Sequence, residues 1–120
     1  MSTTRPVLAL AAALAIGLGA APAASGHAEI VKRSPAPGGT VAKAKRVTIR
    51  FSQSLTTGLI TVSRDGREVT PRATGLDPKR RSVLRAAFAR PLPRGTYVVA
   101  WRALAPDGHR QTGTWTFRVR

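Results

Sequence analysis

From residue 46 onward the chain alternates between apolar and polar positions. In "RVTIRFS" (46–52), Val47, Ile49 and Phe51 fall on one face, with Thr48 and Arg50 on the other. That period of two marks a half-buried strand. "LITVSRDGREVT" (59–70) alternates around Asp65-Gly66, a dipeptide suited to a tight hairpin turn. "RGTYVVAWRAL" (94–104) collects Tyr97, Val99, Trp101 and Ala103 on one side, and "TGTWTFRVR" (112–120) collects Trp115, Phe117 and Val119. Turn signals separate the runs: "SPAPGG", "TGLDP", "RPLPRG" and "PDGH". "SVLRAAFA" (82–89) accommodates a helical turn or a strand, and a strand entering the "PLP" corner is the preferred reading. Short strands at this spacing predict an antiparallel sandwich or barrel. Trp101 and Trp115 occupy alternating strand positions and are assigned to its core.

The first 26 residues follow a different pattern. "MSTTRPVLALAAALAIGLGAAPAASG" has a single charge, Arg5, then an apolar run, then small residues. These are the three parts of a secretory signal peptide. The apolar run is short for a membrane span, which needs about 20 apolar residues. Small residues at 24 and 26 permit cleavage before His27, and cuts after Ala21, Ala23 or Ala24 are also compatible. Cleavage after Gly26 leaves residues 27–120, one small domain, with no second apolar run to hold it in a membrane.

Composition narrows the chemistry. There is no cysteine and one methionine, Met1, which leaves with the leader. Thiolate metal sites and thiol catalysis are therefore excluded, and the exported domain must rely on its core. Nineteen of the twenty basic residues and all five acids follow residue 26, giving the mature part a net charge of +14. Such charge attracts polyanions. The arginines are scattered and most aromatics fall at core positions, which disfavours nucleic acid. A solvated basic surface attracted to acidic envelope polymers or lipid headgroups fits better.

Few residues remain for chemistry. The serines at 34, 52, 54, 63 and 82 have no nucleophile-elbow setting. Asp65 and Asp77 stand in turn motifs, where short acidic side chains cap backbone groups. Nothing points to a carboxylate pair for glycoside cleavage. The chain's two histidines are the remaining candidates, His27 at the expected cleavage point and His109 in "PDGHRQTG" beside Asp107. If that stretch is extended, the side chains two apart point the same way. A terminal His27 offers an amine and an imidazole that can chelate one metal. His109 adds a nitrogen and Asp107 an oxygen. Three nitrogens and one oxygen suit tetragonal Cu(II), whereas Zn(II) prefers a tetrahedron and soft Cu(I) prefers sulfur.

These residues sit in a recognisable frame. "HAEIVKRSPAPGGTV", "VTIRFSQSL" and "PLPRGTYVVAWRALAPDGHRQTGTWTFRV" together resemble the CopC family of periplasmic copper-resistance proteins across the mature chain. The resemblance implies a seven-stranded Greek-key, immunoglobulin-like β-sandwich over residues 27–120, binding one Cu(II) ion outside the cytoplasm. It implies cleavage before His27 and the ligands His27, Asp107 and His109. It also implies a monomer, in the periplasm or at the cell envelope, that passes copper to a membrane transporter of the CopD type. Two departures stand out. Some members carry Glu in an "FSE" motif where this chain has "FSQ", so Gln53 offers only a neutral oxygen or an outer hydrogen bond. The methionine-rich Cu(I) segment of some members is absent here. The expected role is copper holding or delivery and not catalysis. The enzymatic rival is a copper mono-oxygenase cleaving polysaccharide, and the bland rival is a basic sandwich that binds anionic polymers.

Overall fold

The structure, a computed structural model, describes residues 28–120; the expected leader and His27 lie outside the described residues. Nine strands follow in order: β1 (Ile30–Ser34), β2 (Thr40–Val41), β3 (Arg46–Phe51), β4 (Thr57–Arg64), β5 (Arg67–Glu68), β6 (Ala73–Asp77), β7 (Arg80–Ala87), β8 (Gly95–Leu104) and β9 (Arg110–Val119). They form a four-stranded sheet, β1-β3-β7-β6, and a five-stranded sheet, β2-β9-β8-β4-β5. All pairings are antiparallel except β2 with β9. No helix occurs among the described residues.

The alternation predicts the core. Val47, Ile49 and Phe51 of β3 are buried, as are Leu84 and Ala86 of β7 in the same sheet. Facing them from the other sheet are Ile60 and Val62, then Tyr97, Val99, Trp101 and Ala103, then Trp115, Phe117 and Val119. Tyr97 stacks on Phe117 with ring centroids 5.3 Å apart. Each large apolar side chain removed from water this way contributes about 1.5–3 kcal/mol. Both tryptophans are core residues, 8% and 6% exposed. The Trp115 indole N–H donates to the Pro35 carbonyl at 3.0 Å. The Tyr97 hydroxyl donates to the Pro93 carbonyl.

Local readings meet the structure unevenly. The Asp65-Gly66 hairpin turn is present, with φ of 53° and 76° at its two central residues, the left-handed pair a type I′ turn requires. "SVLRAAFA" is strand, most of it in β7. "TGLDP", read as a turn, lies mostly in β6, and the reversal comes at Pro78-Lys79, where the Asp77 carboxylate caps the Lys79 N–H at 2.9 Å. Strand β6 lies at a sheet edge and contains Gly75 at φ 116°; an edge strand kinked by glycine carries little alternation. Nine strands stand where the resemblance implied seven. Two of them, β2 and β5, are two-residue pairings at the edges of the five-stranded sheet, short in the way that blunts edge-to-edge association.

Candidate metal centre

At one end of the sandwich the β8–β9 connection, residues 105–109, reverses the chain. Gly108 N–H donates to the Ala105 carbonyl at 2.9 Å and Ala105 N–H to the His109 carbonyl at 2.9 Å. Gly108 holds φ at 86°, a conformation glycine adopts without the penalty a Cβ brings. Within this turn Asp107 Oδ1 accepts the backbone N–H of His109 at 2.9 Å, and Asp107 Oδ2 lies 3.0 Å from His109 Nδ1. The acid and the imidazole therefore meet, as their spacing suggested. They meet through an Asx turn and not through extended backbone: Asp107 and Gly108 belong to the turn that precedes β9. A carboxylate oxygen and a ring nitrogen this close can share a proton, and a metal ion that took that proton's place would have Asp107 Oδ2 and His109 Nδ1 as donors.

The same end receives the start of the described chain. Glu29 N–H donates to Ser52 Oγ at 2.9 Å, and Ser52 N–H donates to the Glu29 carbonyl at 2.8 Å. Ser52 directly follows β3. The 52–56 connection then crosses to the other sheet, where Thr56 N–H donates to the Leu104 carbonyl at the close of β8. Phe51 and Trp101 span the same layer edge to face, with centroids 5.5 Å apart. Ala28, next to His27, is fully buried. Residues 28–29 and the Asp107–His109 turn thus share one end of the sandwich.

Among the described residues no group of three His, Cys, Asp or Glu side chains stands together. Asp107 and His109 are a pair, and His27, the third expected member, lies outside the described residues. Two carboxamides line the interior toward this end. The Gln53 Nε2 and Gln111 Oε1 atoms are buried and have no hydrogen-bond partner among the described residues, as is the case for the Trp101 indole nitrogen. Gln111 is the second residue of β9, on the inward register of Trp115 and Phe117. Sequence reasoning missed it, although a glutamine at the inward register of Trp115 and Phe117 was a visible signal.

Comparison with known proteins bears on the whole of this frame. Residues 30–120 match the CopC domain family. The chain is 34% identical over 108 residues to copper resistance protein C of Pseudomonas syringae pv. tomato, covering 81% of this chain and 83% of that one. Its fold is similar to that of CopC from Methylosinus trichosporium OB3b, with TM-score 0.65, 27% identity, and coverage of 78% and 93% of the two chains. It is also similar to PcoC, a methionine-rich copper resistance protein from Escherichia coli, with TM-score 0.64, 28% identity, and coverage of 78% and 99%. The two-sheet fold, the shared length and the matched residues make this chain a member of the CopC family.

Proposed function

We propose that the chain is an exported copper-binding protein that holds one Cu(II) ion between the amine and imidazole of a terminal His27, Asp107 and His109. The observation that carries this reading is the Asp107–His109 pair, aligned by two contacts at 2.9 and 3.0 Å at the end where residues 28–29 are pinned to Ser52. The family's copper resistance proteins support copper as the cargo. The donor set favours the oxidised ion, because the mature chain offers nitrogen and oxygen and no sulfur. The protein is monomeric, works in the periplasm or at the cell envelope, and serves resistance, buffering or delivery to a membrane partner of the CopD type. It is a carrier and not an enzyme.

The chemistry of each group follows from its protons. An imidazole or an amine binds a proton on the same lone pair it would offer to a metal. Copper must displace protons from these nitrogens, so binding at neutral pH releases protons and affinity falls as pH drops. Isothermal titration in buffers of different ionisation enthalpy will show that release; a proton count of zero at pH 7 argues against the set.

The deciding experiment is an EPR spectrum of the secreted, processed protein with one equivalent of Cu(II), alongside its intact mass. A single tetragonal signal with nitrogen hyperfine structure, on a chain beginning at His27, is expected. Heterogeneous copper on a chain of that mass overturns the assignment. Peroxide production and polymer cleavage by the copper form would instead favour the mono-oxygenase.

A further inference from the structure

The opposite end of the sandwich gathers charge. A groove of about 690 Å³ there is lined by Lys43, Lys45, Arg46, Arg72, Arg85 and Ser34, with no acidic residue in its walls. Arg46 opens β3 and Arg85 lies near the close of β7. Arg46 pairs with Ala87 and Thr48 with Arg85, so the two guanidiniums are diagonal neighbours across one ladder. Lys43 and Lys45 flank buried Ala44 and are both exposed. Arg72 comes from the β5–β6 connection. None of these five cations makes an ion pair or a side-chain hydrogen bond among the described residues.

The walls are fixed. Leu92 N–H donates to the Ala44 carbonyl at 2.7 Å, Phe88 N–H to the Lys45 carbonyl at 2.9 Å, and Arg72 N–H to the Ala87 carbonyl at 2.7 Å. The backbone beneath the lysines and Arg72 is thus held in place before any ligand arrives. Like charges held together on neighbouring strands oppose folding. Of the five acids of the mature chain, Glu29, Asp77 and Asp107 stand toward the other end. Asp65 and Glu68 lie on the β4–β5 hairpin, lining a separate depression. Uncompensated charge on a fixed scaffold is the mark of a site whose counter-charge comes from outside.

We infer that this groove binds the phosphate groups of an extended polyanion. Five cations call for more than one phosphate. They reach the groove from three separate stretches of chain, and a tetrahedral phosphate accepts hydrogen bonds from several directions where a planar carboxylate accepts near its plane. Guanidinium forks match phosphate oxygens in pairs, and ammonium groups add point charges. Arg46 stands about 17 Å along β3 from Phe51, taking ~3.3 Å per residue, so the groove operates apart from the proposed metal-binding end.

The test uses the processed protein, with and without one equivalent of Cu(II), and two probes: inorganic tripolyphosphate, and vesicles of phosphatidylglycerol. The groove variant is Arg46→Gln with Arg85→Gln. The control is Arg102→Gln with Arg118→Gln, which removes the same charge from the outer face of the other sheet. Saturable binding is expected, weakened about 100-fold in the groove variant, because each charge-assisted bond to phosphate carries roughly tenfold or more, and little changed in the control. Tripolyphosphate binding without vesicle capture identifies a soluble phosphate chain; vesicle capture lost in the groove variant identifies a lipid headgroup. Equal weakening in both variants, or no saturable binding of either probe, overturns the proposal.

Discussion

The two ends of this sandwich are built on opposite plans. At one end a five-residue turn sets a single carboxylate against a single imidazole at 3.0 Å, with a glycine and two backbone bonds holding the geometry. At the other, five cations from distant parts of the chain share an open groove and satisfy none of one another's charge. The first arrangement is local and directional, suited to a small ion that demands particular atoms. The second is dispersed and additive, suited to a ligand that demands charge and tolerates variation in position. Coordination depends on the placement of single atoms, whereas charge attraction depends on how many groups are near and how salty the solution is.

That contrast can be broken by substitution. The largest expected effect is on copper affinity in His109→Ala, and in a protein carrying one extra residue before His27. Each removes donors outright, and competition titration against a Cu(II) chelator should show losses well beyond about 100-fold, the upper range for removing an outer-shell partner. Affinity within a few-fold of the parent would remove His109 from the site. Asp107→Asn should cost less than either, because the amide keeps the shape, can still accept the His109 N–H and leaves every nitrogen donor in place. Gly108→Ala sharpens the picture further. A Cβ at φ 86° strains the turn by about 1–2 kcal/mol, which should broaden the EPR signal and lower the melting temperature slightly while every donor is retained. The smallest effect is a null one. Arg46→Gln with Arg85→Gln should leave the Cu(II) spectrum unchanged, since the ends are separated by roughly twice the ~8 Å screening length of physiological salt. A shift in g values there would mean that the ends communicate.

Much of this molecule was legible in its sequence wherever a strand had one wet face and one dry one. The inward sets of β3, β8 and β9 are those the alternation gives, and Asp65-Gly66 turns where such a dipeptide should. The edges were harder to read. Strand β1, "IVKRS", has its lysine and arginine on an edge strand, and charge placed to protect an edge erases the apolar alternation by which strands are recognised. Strand β6 lost its signal to Gly75. At the end proposed for the metal, the nearness of Asp107 and His109 was legible because spacing along a chain is visible. The route by which they meet was misjudged, since an Asx turn and an extended stretch bring residues two apart together equally well. The Ser52–Glu29 clamp joins positions 23 residues apart and nothing local announces it. The basic groove is the extreme case. Lys43, Arg72 and Arg85 looked scattered because only the folded register makes them neighbours.

The clamp at Glu29 has a consequence in time. It pins the chain two residues past His27. In a precursor with its leader attached, the nitrogen of residue 27 is an amide tied into a peptide bond, and its lone pair is delocalised into the carbonyl. Such a nitrogen is a poor donor to a metal. Under the proposed cleavage, then, the precursor would lack one of the nitrogen donors that the proposed site requires. The proposed donor set would be completed only by the event that removes the leader.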